Sequence, residues 1–277
     1  MANPQFDPSN YSLDPADYDH PPQEKVEIFE AAVKTLIGVQ LPILQIPKAA
    51  LEAFEPSQVG TITGTLMDAC IPQLDAIIKD EDPGASKDTE RFIHGLTKAD
   101  GILGEREGYP DYEHKLSGLR TELKLLYVNP PANITMKAPP TPREPSARLT
   151  QKVTLKNVRP SEDMLLLIAY QLQERRDDPD LVSPTIVDVG VFPVIDCILA
   201  RDKRLITGGG RWYGYFETPV VLSKIGAAKL VRNEPLDDST YGRKESEGKD
   251  FNEDTNFGKM KRIPLPELAK FLKKHRK

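Results

Sequence analysis

The chain has 277 residues, of which 39% are hydrophobic and 29% are charged, and its formal net charge is −5. This composition excludes a chain that is disordered throughout, and no apolar run reaches the roughly 18 residues that a transmembrane helix needs. The N-terminal residues lack the basic start and apolar core of a signal peptide, and two cysteines, Cys70 and Cys197, are too few for a disulfide framework or a four-thiolate zinc site. We therefore expect a cytoplasmic protein without a membrane segment.

The first part of the chain is predicted to be mostly helical. It opens with an irregular arm, residues 1–22, which is rich in Pro, Asp and Asn and contains no Lys or Arg. Apolar residues at helical spacing then predict one helix from Glu24 to Gly38 and a second from Pro56 to Lys79, which Pro72 kinks or splits. A third helix is expected from Asp88 to about Leu96.

Further along the chain the pattern changes to a mixture of strands and helices. Two strand-like segments flank a turn at Leu116–Gly118, and the second of them, Leu119 to Val128, begins with clean alternation of apolar and polar residues. The remaining predicted elements are strands over Met164–Leu172 and Pro184–Val191, and helices over Phe192–Lys203, Pro219–Val231 and Leu265–Lys274. The first of these two strands also has a composition that suits a helix. The chain is thus predicted to join a helical region, 1–100, and a mixed region, 101–277, in one structural unit.

Basic residues are concentrated in two segments although the net charge is negative. Residues 137–160 contain six basic residues and one acidic residue, and residues 259–277 contain eight basic residues and one acidic residue. Local basic surface, rather than net charge, governs contact with phosphates. The charge pattern therefore permits a DNA partner, and the alternative for each segment is a solvated face.

One arrangement of residues indicates chemistry. Pro110-Asp111 is followed, after ten intervening residues, by Glu122-Leu123-Lys124. A hairpin between the two segments would bring the carboxylates of Asp111 and Glu122 together, and two converging carboxylates suit Mg²⁺, which prefers oxygen ligands and retains several waters. A neighbouring lysine supplies a cation that orients or deprotonates a water, or stabilises the charge of a phosphoryl transition state.

The run PD-x10-ELK resembles the PD-(D/E)xK nuclease motif of type II restriction endonucleases, over about residues 88–128. The resemblance implies an α/β fold of the mixed kind, with a central mixed sheet flanked by helices and a nuclease core within 101–277. It also implies Mg²⁺-dependent double-strand cleavage at a specific palindromic DNA sequence, which leaves 5′-phosphate and 3′-hydroxyl ends. Such enzymes usually act as homodimers, and we expect the helical region, including its N-terminal arm, to contain the dimer interface.

The resemblance also assigns roles to individual residues. It makes Asp111 and Glu122 metal ligands, together with the backbone carbonyl of Leu123, and it makes Lys124 the catalytic lysine. Some members of the family add an acidic ligand from a preceding helix, and the matching candidate here is Glu90.

DNA-contacting residues are expected in the basic, proline-rich segment that follows the catalytic strand. The candidates in that segment are Lys137, Arg143, Arg148, Lys152 and Lys156. A second candidate is Arg211, which follows the run Gly208–Gly210 and could read guanine in the major groove. The glycine run lacks the phosphate-binding P-loop pattern, and its alternative interpretation is a turn between a helix and a strand.

Several alternatives stay open at this level. The hairpin could be a surface edge hairpin in which Arg120, Glu122 and Lys124 form exposed ion pairs. His114 lies near the motif and could contact a phosphate, but we expect it to be a histidine on the surface of a strand. The acidic-x-lysine triplet Glu113–Lys115 is rejected as the catalytic pair because it lies too close to Asp111 for a turn to fold the strands together. The rival functions are a structure-selective repair or recombination nuclease with the same core and a non-catalytic DNA-binding protein.

Overall fold

The structure of the protein is a computed structural model. The chain forms two compact units. We call the first the sheet unit, which comprises Pro21–Ser146, Glu162–Phe192 and Lys270–Lys277. The second is the ribbon unit, which comprises Met1–His20, Ala147–Ser161 and Pro193–Ala269. Within these units the structure describes residues 11–41, 44–70, 95–99, 109–137, 147–150, 153–207, 219, 224–234 and 260–275.

A mixed six-stranded sheet forms the centre of the sheet unit. The strands of the described residues are β1 (Ile46–Pro47), β2 (Leu96–Lys98), β3 (Tyr112–His114), β4 (Leu119–Tyr127), β5 (Arg148–Thr150), β6 (Asp163–Glu174), β7 (Leu181–Pro193) and β8 (Met260–Arg262). The order of the sheet is β1-β7-β6-β4-β3-β2, with β4 parallel to β6 and antiparallel to β3. This sheet and its flanking helices confirm the predicted α/β class with a central mixed sheet.

The helices agree in large part with the helical periodicity of the sequence. They are α1 (Gln23–Lys34), α2 (Pro56–Cys70), α3 (Val194–Thr207), α4 (Lys224–Val231) and α5 (Pro266–Lys274), and short 3-10 helices span Pro15–Asp17 and Lys48–Ala53. Within the described ranges, every helix is too short or too polar to span a lipid bilayer. The predicted break at Pro72 and most of the predicted third helix lie outside the described residues.

The ends of two predicted helices differ in the structure. Helix α1 ends at Lys34 rather than at Gly38, and Gly38 adopts a φ of 89° while its N–H donates to the carbonyl of Ile186 at 2.8 Å. The chain therefore leaves the helix early in order to join the sheet. Leu96 begins strand β2 instead of ending a helix, because Leu96–Lys98 pairs antiparallel with β3. The strand predicted around Met164 is confirmed as β6, and the alternative of a helix is wrong.

Helices α1 and α2 cover one face of the sheet, and this packing orients the hairpin. Phe29 and Val33, four residues apart on α1, are fully buried against the sheet. Their cluster also contains Met67 of α2 together with Leu119, Leu123, Met164, Leu166, Ile168 and Tyr170 of the sheet. Because side chains alternate along a strand, the odd-numbered residues of β4 face these helices. The even-numbered residues of β4, including Glu122, therefore project from the opposite face.

The ribbon unit contains its own two-stranded antiparallel sheet. Strand β5 pairs with β8 in a register that sets Arg148 opposite Arg262. A buried arginine of α3, Arg201, donates to the carbonyl of Val153 at 2.7 Å and pairs with Asp202 at 2.8 Å. These bonds satisfy polar groups inside the unit, as burial of charge requires.

Candidate active site

The candidate site is built on the β3–β4 hairpin, whose register brings its two carboxylates together. The paired residues are Tyr112 with Thr121, Glu113 with Arg120 and His114 with Leu119. Continuing this register by one position sets Asp111 opposite Glu122. Residues that lie opposite each other on antiparallel strands have Cβ atoms about 4.5–5.5 Å apart. The spacing of the two carboxylates along the sequence therefore matches the geometry of the hairpin.

The turn of the hairpin is fixed by local hydrogen bonds. Gly118 has a φ of 66°, in the region that favours glycine, and its N–H donates to the carbonyl of His114 at 2.8 Å. The hydroxyl of Ser117 forms a 2.8 Å hydrogen bond with Nδ1 of His114 and accepts from the N–H of Leu119 at 3.3 Å. His114 is fully buried, so the expectation of a surface histidine is wrong, and burial lowers its pKa.

The carboxylate of Asp111 is held by the backbone of β4. The ladder between β3 and β4 ends at Tyr112, and beyond that point the N–H of Leu123 donates to Oδ2 of Asp111 at 2.7 Å. A side-chain oxygen thus replaces the main-chain acceptor that a longer strand would supply. This bond holds the carboxylate of Asp111 beside the segment of β4 that contains Glu122 and Leu123.

Glu122 is a buried carboxyl group in the interior of the sheet. It is 6% exposed, and burial raises its pKa to about 7, with a further increase from the nearby Asp111 carboxylate and an opposing effect of Lys124. No described residue donates a hydrogen bond to its Oε2 atom. A buried carboxylate oxygen without a partner is costly to the fold, and in a site of this kind it is available to a ligand.

The side chain of Lys124 lies beside the two carboxylates. Its Nζ donates to Oε1 of Glu122 at 2.5 Å and to the carbonyl oxygen of Leu123 at 3.0 Å. These are the two oxygens of β4 that the resemblance assigns to a metal ion. The position already attracts a cation, because a carboxylate and a carbonyl dipole converge on it.

The donor set fits Mg²⁺. It consists of the carboxylates of Asp111 and Glu122 and the carbonyl of Leu123, which are hard oxygen donors that leave positions for water. The Oε2 atom of Glu122, which accepts no hydrogen bond from the described residues, is the atom that a cation would contact. Across the part of the chain that the structure describes, no three His, Cys, Asp or Glu side chains converge on one point, so the set contains two carboxylates. The further candidate ligand, Glu90, lies outside the described residues.

Comparisons with known proteins do not identify a function for the chain. No protein-family model, no curated protein and no solved structure matches the chain. The functional argument therefore depends on the short PD-x10-ELK run and on the geometry that its residues adopt.

The alternative of a surface edge hairpin is wrong. Strand β4 lies between β3 and β6 in the interior of the sheet, and Arg120 and Glu122 are 7% and 6% exposed. Charged groups are buried in pairs or for a function, because an isolated buried charge is strongly unfavourable. The rejected triplet behaves differently, since Glu113 and Lys115 are both exposed.

The predicted DNA-contacting residues are distributed over both units. Lys137 is exposed in the sheet unit, with its Nζ 3.9 Å from a carboxylate oxygen of Glu55. In the ribbon unit, Arg148 lies in β5 and Lys156 is exposed on a turn. Arg143, Lys152 and Arg211 lie outside the described residues. All six remain predictions.

The sequence did not point to a buried network beside the site. Asp163, fully buried at the start of β6, accepts from the hydroxyl of Tyr109 at 2.7 Å. Arg120 pairs with the same carboxylate, with Nε 2.9 Å from Oδ1 and Nη2 3.3 Å from Oδ2. The sequence predicted only that Arg120 lies on the polar face of its strand. It did not predict the pairing with Asp163, because Asp163 lies more than forty residues further along the chain and no motif links the two residues.

Proposed function

We propose that this protein is a Mg²⁺-dependent type II restriction endonuclease. It cuts both strands of duplex DNA at a specific palindromic sequence and leaves 5′-phosphate and 3′-hydroxyl ends. The observation that carries the proposal is the hairpin register, which sets Asp111 opposite the buried Glu122 with Lys124 bonded to Glu122. The burial of Glu122 separates this arrangement from an ordinary surface ion pair.

In the proposed reaction, one group of residues holds the metal ion and Lys124 orients the water. Asp111, Glu122 and the carbonyl of Leu123 would hold Mg²⁺, which supplies a Lewis acid that lowers the pKa of water and offsets phosphate charge. Lys124 gives up its bond to Glu122 and turns its ammonium towards the attacking water and the scissile phosphate. The water oxygen bonds to phosphorus in line with the bond between phosphorus and the 3′ oxygen, and that bond breaks. The attacking water gives its proton to bulk water, and the leaving 3′ oxygen takes a proton from bulk water to become the 3′-hydroxyl.

A homodimer accounts for cleavage of both strands. Two copies related by a twofold axis present one site to each strand of a palindromic target. Lys137, Arg148 and Lys156, with Arg143, Lys152 and Arg211, are the proposed DNA-contacting residues. If these side chains contact phosphates, DNA affinity falls steeply with salt.

A cleavage assay on long, mixed-sequence duplex DNA tests the proposal. Discrete fragments are expected with Mg²⁺ and none with EDTA. Lys124→Ala should abolish cleavage while DNA binding is retained, because phosphate and base contacts do not require the catalytic lysine. Lys115→Ala is the matched control, since Lys115 is an exposed lysine on the turn of the same hairpin.

The other outcomes of this assay separate the rival functions. A smear of fragments with Mg²⁺ would indicate the repair or recombination nuclease rather than a sequence-specific enzyme. If Asp111→Ala and Lys124→Ala cleaved DNA at the wild-type rate, the result would contradict the proposed site. DNA binding without cleavage, combined with unchanged metal binding in Asp111→Ala, would indicate the non-catalytic DNA-binding protein.

A further inference from the structure

A buried network of three side chains joins the two segments that carry the candidate metal ligands. Asp163 is at its centre and contacts the hydroxyl of Tyr109 and the guanidinium of Arg120. The guanidinium carbon of Arg120 also lies 5.9 Å from the centroid of the Tyr109 ring. The exposed fractions of the three residues are 1%, 7% and 0% for Tyr109, Arg120 and Asp163, so their contacts are shielded from water.

The network lies two residues before each carboxylate ligand. Tyr109 precedes Asp111 by two positions, and Arg120 precedes Glu122 by two positions on the same face of β4. Asp163 is the registered partner of Arg120 on the neighbouring strand β6. One carboxylate therefore ties the segment of Asp111 to the strand of Glu122.

The network also gives Arg120 a carboxylate partner other than Glu122. Arg120 projects from the same face as Glu122, and an unpaired guanidinium there would compete for the Glu122 carboxylate. Asp163 takes up this charge through contacts of 2.9 Å and 3.3 Å. The Glu122 carboxylate is therefore left to Lys124, and, in the proposed function, to the metal ion.

We infer that Tyr109 and Asp163 are positioning residues of the metal site. Through its hydroxyl, Tyr109 anchors the Asp111 segment on Asp163, and Asp163 holds Arg120 away from Glu122. This inference rests on the proposed function, because it takes Asp111 and Glu122 as ligands. Partners that orient metal ligands typically change metal affinity or activity by roughly 10- to 100-fold.

The test compares two tyrosine variants in direct Mn²⁺ binding, measured by electron paramagnetic resonance of the free ion. Tyr109→Phe keeps the buried ring and removes only the hydroxyl, and we expect it to weaken Mn²⁺ binding roughly 10-fold. Tyr170→Phe is the matched control, because the Tyr170 hydroxyl is also buried but contacts Thr63 and the carbonyl of Gly60 of α2. It should lower the melting temperature without changing Mn²⁺ affinity.

Cleavage kinetics provide a second measurement. In Tyr109→Phe the Mg²⁺ concentration for half-maximal cleavage should rise by the same factor as the Mn²⁺ dissociation constant, whereas kcat at saturating Mg²⁺ stays near wild type. Asp111→Ala is measured in parallel. Weak binding in Asp111→Ala with wild-type binding in Tyr109→Phe would overturn this inference alone. Unchanged binding in Asp111→Ala would overturn the proposed metal site and this inference with it.

Discussion

The ammonium group of Lys124 contacts two of the oxygens that would bind the proposed metal ion. The lysine and the metal ion therefore compete for these oxygens, although both are expected to promote cleavage. In Lys124→Met the competing charge is removed, and Mn²⁺ affinity should stay at the wild-type level or increase. Cleavage should fall by roughly 10²- to 10³-fold, the range typical of a lost donor to the charge of the transition state. The measurements are Mn²⁺ binding and the rate of DNA cleavage at saturating Mg²⁺.

The matched control for this prediction is Lys115→Met, which removes an exposed lysine from the turn of the same hairpin. Both its metal affinity and its cleavage rate should equal those of the wild type. A tenfold loss of Mn²⁺ affinity in Lys124→Met would contradict the competition between the lysine and the metal ion.

His114 makes the stability of the fold depend on pH. Burial lowers its pKa, so the folded chain binds this proton less tightly than the unfolded chain does. The contribution of His114 to stability is therefore present above the unfolded pKa of 6.5 and is lost as the pH falls through the lowered folded value. In His114→Asn, the melting temperature should decrease less steeply below pH 6.5 than in the wild type.

His20 provides a contrast of opposite sign for the same measurement. A hydrogen bond with Asp196 raises the pKa of His20, so its contribution is present at low pH and is lost as the pH rises through the folded value. The His20 side chain is 37% exposed, and solvent screening makes the effect small. A shared slope change in His114→Asn and His20→Asn would contradict the assignment to His114.

At the scale of elements, the turn of the hairpin fixes the register on which the site depends. Gly118 has a φ of 66°, and a Cβ atom at this position would meet only Nζ of Lys25, at 3.8 Å. The cost of Gly118→Ala is therefore backbone strain rather than a steric clash, and we expect a loss of about 1–2 kcal/mol in the free energy of unfolding. Urea denaturation measures it.

Asparagine separates backbone strain from the loss of flexibility at this turn. Because Asn tolerates the left-handed conformation better than Ala does, Gly118→Asn should be less destabilised than Gly118→Ala. Equal losses in the two variants would show that the φ angle of residue 118 is not the cause.

The hairpin and the position of β4 in the sheet differ in how far the sequence predicts them. Local signals, namely the Ser117–Gly118 turn and the alternation from Leu119, predict the hairpin, and the structure contains it. The burial of both faces of β4 was not predicted, because it depends on the parallel pairing with β6, which begins at Asp163. A polar face of Arg, Glu and Lys is typical of a solvated strand, and only long-range pairing overrides that pattern.

The same distinction between local and long-range signals applies to the site. The spacing of Asp111 and Glu122 predicts their approach across the turn, since both residues belong to one hairpin. The bond between Tyr109 and Asp163 joins segments that are far apart in the sequence, so no local pattern indicates it. His114 was misplaced for a related reason, because its burial depends on packing against Phe29 of α1, with the ring centroids 5.2 Å apart.

At the scale of the whole molecule, the candidate site should lower the stability of the fold, and binding of the proposed metal ion should offset that loss. Burial raises the pKa of Glu122 from 4.5 to about 7, so stability declines as the pH rises from 4.5 through 7 and the buried carboxyl ionises. Glu122→Gln cannot ionise, whereas Lys124 is 25% exposed and keeps much of its hydration. In EDTA at pH 8, we expect Glu122→Gln to be about 1–3 kcal/mol more stable than the wild type.

Addition of Mg²⁺ should narrow or reverse this difference in stability. A ligand that binds only the folded state at 100 times its dissociation constant adds about 2.7 kcal/mol, which the wild type gains and Glu122→Gln does not. Urea denaturation in EDTA and in Mg²⁺ measures both effects, and Glu113→Gln, an exposed position on the same hairpin, should behave as the wild type does. If Mg²⁺ stabilised Glu122→Gln as much as the wild type, the ion would bind elsewhere. The burial of Glu122 would then be a cost to the fold that metal binding does not explain.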